Sequence, residues 1–242
     1  MENNISPLSS NDTFKFSCSK NVACFNECCR DLNQFLTPYD ILRLKNRLGL
    51  TSSIFLEQYT TQHTGPETGL PIITLKTDYA HEFKCPFVTT SGCRVYEDRP
   101  SSCRTYPLIR VASRSRETGT VAEQYMLLKE THCLGCQQGQ NWTVREWIEN
   151  QEIAVYNQMN DMFMEIIGLK HRRLPGPLDI KSGLMFHLAC YDLDTFRSHI
   201  FDKDLPGNWN PGPKTLEALK HDDVELLKLG FKWVKETLFG KT

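Results

Sequence analysis

Ten cysteines constrain this chain of 242 residues more than any other feature, since nine of them fall at or before residue 136 and crowd into short blocks. Four stand in CSKNVACFNECC, residues 18–29, which ends on the adjacent pair Cys28–Cys29. Cys85, Cys93 and Cys103 follow in CPFVTTSGCRVYEDRPSSC, then Cys133 and Cys136 in HCLGC, and Cys190 stands alone in GLMFHLACYDL. Such crowding serves disulfides, a metal or redox catalysis, and the compartment helps to decide among them. The opening MENNISPLSSNDTFKF has neither a basic n-region nor an apolar h-region, so no signal peptide is expected. No run approaches the roughly 18–20 apolar residues of a membrane helix. The expected location is the cytosol, where thiols stay reduced and clustered cysteines bind metal or catalyse rather than cross-link.

Hydrophobic residues at 40% and charged residues at 24% are enough for an ordinary soluble core. Lys+Arg 28 against Asp+Glu 29 leaves a net charge of −1, without the basic excess that nucleic-acid binding calls for. The two basic runs, RVASRSR (110–116) and KHRR (170–173), read as solvated faces.

LTPYDILRLKNRLGL reads as a short helix with Thr37 at the cap, Pro38 in the first turn, Asp40 completing a capping box and Gly49 as the stop. TSSIFLEQYT reads as a second helix, and LPIITLKT (70–77) and AEQYMLLKE (122–130) as short strands. Residues 80–110 are punctuated by Pro86, Gly92, Pro100 and Pro107 and need something besides regular hydrogen bonding to hold them. Beyond residue 140, WTVREWIENQEIAVYNQMNDMFMEIIG carries apolar residues at helical spacing until LPGPLD breaks it. IKSGLMFHLACYDLDTFRSHIF and TLEALKHDDVELLKLGFKWVKETLF read as further helices on either side of the turn-rich DLPGNWNPGP. The expected class is α+β, mainly α with short β segments. A cysteine-rich metal-binding half over residues 14–140 packs against a helical half over 141–242.

Were residues 24–34 helical, Cys24 and Cys28 would share a face and Cys29 would point about 100° away. Adjacent thiols that diverge suit a cluster or two neighbouring sites better than one small tetrahedral ion. Pro86 fixes the exit of the chain from Cys85, and Gly92 lets backbone approach the sulfur of Cys93. Arg94 and Arg104 would offset thiolate charge, with surface ion pairs to Glu97 or Asp98 as the bland alternative. Cys133 and Cys136 have the C-x2-C spacing of a metal knuckle. A thioredoxin-like redox pair would sit beside a βαβ pattern, which is not evident here. Cys190 reads as a small buried apolar residue. His132 reads as an exposed neighbour of Cys133, and the other histidines show no spacing that makes a site. No phosphate-binding glycine loop and no nucleophile elbow occurs.

FSCSKNVACFNECC, LTPYD, CPF, GCRVYEDRPSSCRTYP and HCLGC together resemble the YkgJ-like cysteine-cluster proteins, the CxxCxxCC family of zinc- or iron-chelating domains. The family pattern opens on an aromatic and a first cysteine, here Phe16 and Cys18, and continues to Cys24 and the doublet Cys28–Cys29. Its second half is matched by Cys85 to Phe87, Gly92 to Tyr96, Arg99–Pro100 and Cys103 to Pro107. The resemblance covers residues 14–137. Five residues separate Cys18 from Cys24 and three separate Cys24 from Cys28, where the family has two and two.

Together these readings give a cytosolic metal-binding protein with Cys18, Cys24, Cys28, Cys29, Cys85, Cys93, Cys103, Cys133 and Cys136 as candidate metal ligands. The cofactor expected is an iron–sulfur cluster, 4Fe–4S being the type considered, with zinc as the alternative. The resemblance also extends to a flagellin lysine N-methylase that contains this kind of domain. It thereby implies an iron–sulfur-dependent enzyme, methyl-transferring or redox, as the rival reading, with Arg94, Arg104 and Tyr106 as nearby polar groups. Neither nucleic acid nor membrane is expected as a partner. A protein partner or substrate would use the helical C-terminal half, although core packing better explains Phe231, Trp233, Val234, Leu238 and Phe239.

Overall fold

The computed structural model describes residues 4–31, 33–115, 117–202 and 212–240. The turn-rich stretch 204–213 expected between the last helices lies outside them up to residue 211. The chain forms two compact units, each assembled from separate stretches: unit 1 from residues 1–33 and 76–161, unit 2 from 34–75 and 162–242. Short antiparallel sheets and a larger share of helix give the α+β class. A single break near residue 140 was the sequence expectation. The units interleave instead, because the helices of residues 38–59 pack with the late helices in unit 2.

Unit 1 is built on the antiparallel sheet Ile5–Leu8, Val121–Leu128, Leu108–Arg114, in that spatial order. A second ribbon pairs Thr13–Phe16 with Gln140–Thr143. Thr13–Phe16 alternates exposed and buried positions, so Phe14 and Phe16 enter the core while Thr13 and Lys15 face out. There they meet Leu108, Tyr125, Leu127, Val144, Trp147 and Ile153. The rings of Phe14, Phe16 and Trp142 stand edge-on to Trp147, with centroids 5.9, 5.5 and 5.4 Å away.

The stretch from Trp142 is not one helix. Trp142 lies in the strand, Val144–Asn150 is a first helix capped by Thr143 and Glu146, and Ile153–Arg173 a second. Glu152, at φ 50°, adopts a left-handed conformation that a continuous helix cannot carry. RVASRSR supplies most of the strand Leu108–Arg114 and keeps Val111, Ser113 and Arg114 exposed, as expected of a solvated face, while Arg110 donates to both carboxylate oxygens of Asp161 at 2.7 and 2.9 Å.

Unit 2 pairs Phe35–Leu36, Pro71–Leu75 and Thr60–Thr64 in an antiparallel sheet. The helix Pro38–Leu48 forms with the expected capping box between Thr37 and Asp40, and Ser52–Tyr59 follows. Each of the two late helical stretches is divided, into Ile180–Cys190 and Leu193–Asp202, then Pro213–Leu219 and Asp223–Leu238. Phe186, Phe196, Phe231 and Trp233 fill the core, so the aromatic residues near the C-terminus pack inward. Gly230 lets two helices touch, since a Cβ there would stand 2.1 Å from the carbonyl oxygen of Ala189. Lys45, which is buried, pairs with Asp223 at 3.0 Å and Asp194 at 3.2 Å, and Arg197 joins the same two carboxylates. In KHRR the first residue, Lys170, is buried rather than solvated and donates to the carbonyl of Gly176. No helix among the described residues is long and apolar enough to cross a membrane.

Candidate metal centre

After the strand Thr13–Phe16 the chain anchors Ser17 N–H to the carbonyl of Gly135 at 3.1 Å and enters a series of tight turns. Residues 24–31, the described start of the stretch 24–34, do not form the α-helix considered for it. Asn26 sits at φ 69°, its side chain donates to Thr89 O at 2.9 Å, and only a 3-10 turn, Glu27–Cys29, follows. With three residues per turn, Cys28 and Cys29 diverge by about 120°. Cys85 N–H donates to the carbonyl of Cys29 at 2.8 Å, which sets the doublet beside the second block. Cys93 lies in the hairpin Val88–Thr89/Gly92–Cys93, whose turn needs Gly92 at φ 117°. Cys103 is exposed on the short helix Ser101–Thr105. Cys133 and Cys136 flank the start of the 3-10 turn Gly135–Gln137 and pack against the unit 1 core.

Backbone N–H groups are aimed at three of the sulfurs. Leu134 donates to Cys24 Sγ at 3.2 Å. Val88 N–H donates to the carbonyl oxygen of Cys85 at 3.1 Å, and the backbone N–H groups near Cys85 and Cys93 act in the direction of thiolate at those sulfurs. Such bonds favour thiolate over thiol. Burial nevertheless pushes Cys85 and Cys93 up. Cys18 is pushed up to about 11 by burial and then by Cys28, Cys24 and Cys133, and Cys136 to about 11 by burial and Cys133. Within the doublet, a hydrogen bond from the Cys29 thiol lowers Cys28 to about 7, while Cys29 is driven up.

These interactions connect all nine candidate thiols within unit 1. Cys18, Cys24, Cys133 and Cys136 act on one another's charge, as do Cys29, Cys85 and Cys103 and Cys85 and Cys93, while Cys28 is hydrogen-bonded to Cys29 and acts on Cys18. No disulfide joins any of the described cysteines. Among the described residues, no group of three or more His, Cys, Asp or Glu side chains converges as it stands on a point that would hold an ion. Cys190 lies in unit 2, fully buried, as a small apolar residue.

Arg94 stacks on Phe87 at 5.4 Å and faces Cys85 and Cys93. Arg104 is turned away from Glu97 and Asp98 carboxylates: it is buried, donating to the carbonyls of Glu97 and Gln151. The hydroxyl of Tyr106 is buried against Cys133 and Glu130, and burial followed by Cys133 pushes its pKa up. His132 is exposed and 3.6 Å from Glu130. The residue missed as a charge partner is Arg99, which faces Cys18, Cys93 and Cys103. Its position one turn before Cys103, ahead of the rigid Pro100, was the available signal.

Soft sulfur donors from distant stretches, gathered without disulfides and met by backbone N–H groups, define the class of cysteine-ligand metal-chelating domains. The chain belongs to the CxxCxxCC family, described as "Putative zinc- or iron-chelating domain", whose sequence model matches residues 17–141, a little over half of the chain. The matched stretch includes 34–75, which folds in unit 2. Chelation of zinc or iron is therefore the function this domain carries. No curated protein and no solved structure matches the chain.

Proposed function

We propose that unit 1 chelates iron as an iron–sulfur cluster through the thiolates of its nine cysteines, in a reducing compartment such as the cytosol. The observation that carries the reading is the set of backbone N–H groups aimed at Cys24, Cys85 and Cys93. They are placed as they would be for anionic sulfur, yet burial holds protons on Cys85 and Cys93. A cation is the missing term: it offsets the charge that burial penalises and releases the protons.

The spread of the thiols supports a cluster over a single ion. A cluster takes its ligands at separate iron atoms, so the sulfurs need not converge on one point. In this reading Cys29, Cys85, Cys93 and Cys103 hold one set of iron atoms and Cys18, Cys24, Cys133 and Cys136 a second metal, with Cys28 able to serve either. When bound, the cluster supplies electron storage or Lewis acidity. This chain's residues supply thiolates and N–H donors in a setting where Cys18 and Cys103 are exposed and the other seven thiols half-buried. Zinc in both sets is the alternative, favoured by the grouping into two sets of four.

Anaerobic purification followed by a visible spectrum and analysis for iron, zinc and acid-labile sulfide tests the reading. Iron with matching sulfide and a broad band near ~400 nm is the expected result. Stoichiometric zinc in a colourless protein would replace the cluster by structural zinc, and absence of both metals would end the chelation reading. The rival enzyme reading draws on Tyr106, whose hydroxyl lies against Cys133. It requires a reversible redox couple or binding of S-adenosylmethionine by the loaded protein.

A further inference from the structure

Two arginines in unit 1 are buried without the partner that a buried cation needs. Arg99 is 7% exposed and Arg104 3%. Arg99 lies 3.8 Å from the centroid of the Tyr96 ring and donates to Tyr96 O and Gln151 Oε1, both neutral acceptors. Arg104 lies 4.7 Å from the Tyr156 centroid and donates to Gln151 O at 2.6 Å and to Glu97 O. Its Nε is buried without an acceptor. The nearest carboxylate to Arg104 is that of Glu152 at 4.0 Å, itself 77% exposed, and Arg99 has none within that distance among the described residues.

A guanidinium does not shed its proton in a protein. Two of them side by side, each on neutral acceptors, leave a buried positive charge that is expensive unless an anion completes it. The thiolates supply one: Arg99 stands two residues before the helix Ser101–Thr105 that carries Cys103, and its charge acts on Cys18, Cys93 and Cys103. Four thiolates on a divalent ion carry a net charge of −2, which a neighbouring guanidinium offsets in part.

We propose that Arg99, held by Tyr96 and Gln151 with Arg104 behind it, is the counter-cation of the thiolate centre and sets its affinity for metal. The proposal rests on the chelation reading. Arg99 acts here as a positioning residue: it stabilises the ionised ligands by charge and is not itself a ligand.

Competition of metal-free protein against a chromophoric chelator for Zn2+ reads the effect, with far-UV circular dichroism to check the fold. Arg99→Met should weaken zinc binding by about 10- to 100-fold, the range seen when a partner of the ligands is lost. Arg99→Lys, which keeps the charge, should recover most of that loss. Gln151→Glu leaves both arginines in place and gives them an internal carboxylate. It should weaken zinc binding about tenfold while raising the melting temperature of the metal-free protein, an outcome that a merely structural arginine does not produce. Wild-type affinity in Gln151→Glu overturns the proposal even if Arg99→Met fails to fold. Wild-type protein that takes up neither zinc nor iron overturns the chelation reading as well, so the two failures are distinct.

Discussion

Cys18 and Cys136 are thiols raised from 9.0 to about 11, by burial first and by other thiols second. A folded-state pKa above the unfolded one contributes stability that is full below pH 9 and lost as pH rises towards 11. Metal-free protein should therefore show a urea midpoint that falls between about pH 8 and pH 10.5. The metal-loaded form, its thiols already ionised, should lack that fall. Zinc affinity should rise over the same range, since each protonated ligand gives up a proton on binding. A flat midpoint in the metal-free protein would mean that neither Cys18 nor Cys136 holds its proton more tightly in the folded chain. The crowding of these thiols was legible in the sequence, because spacing displays it. Arg99 was not legible as their charge partner, because its burial depends on Gln151, which lies 52 residues further along the chain.

At the scale of single elements, local chemistry was readable wherever it decided the outcome. Thr37, Pro38, Asp40 and Gly49 specify a helix by themselves, and it forms between those signals. The composition of AEQYMLLKE (122–130) likewise located the strand that forms over Val121–Leu128. The failures are places where one residue overrides the pattern: Asn26 and Glu152, both left-handed, cut helices that apolar spacing or a thiol pattern suggested. RVASRSR keeps its exposed face, but Arg110 and Arg114 are strand residues paired beside Val121–Leu128, a partner that the run alone does not display. The close approach at Gly230 gives this scale its prediction. Gly230→Ala forces a methyl group against the carbonyl oxygen of Ala189 and should destabilise the protein by roughly 1–3 kcal/mol, read from the urea midpoint. An unchanged midpoint would mean that the helices Ile180–Cys190 and Asp223–Leu238 can part without loss.

For the whole molecule, the division into units predicts where metal matters. Residues 80–110 contain short turns, a two-residue hairpin and a five-residue helix, too little regular structure to hold themselves. Unit 2 has its own aromatic core and its own buried ion pairs. Treatment with a strong chelator under reducing conditions should therefore open trypsin sites within 18–33 and 76–136 while those in 34–75 and 223–238 stay protected. Mass spectrometry of the fragments checks this, and uniform cleavage of both units would contradict it.

The interleaving of the two units also fixes an order of events during translation. Unit 1 has all its residues once position 161 has been made, whereas unit 2 waits for the chain up to its last helix, Asp223–Leu238. The early segment 34–75 leaves the ribosome long before the helices it packs with. The thiol centre is thus the first part of the protein whose sequence is complete, and it can be loaded with metal on a nascent chain.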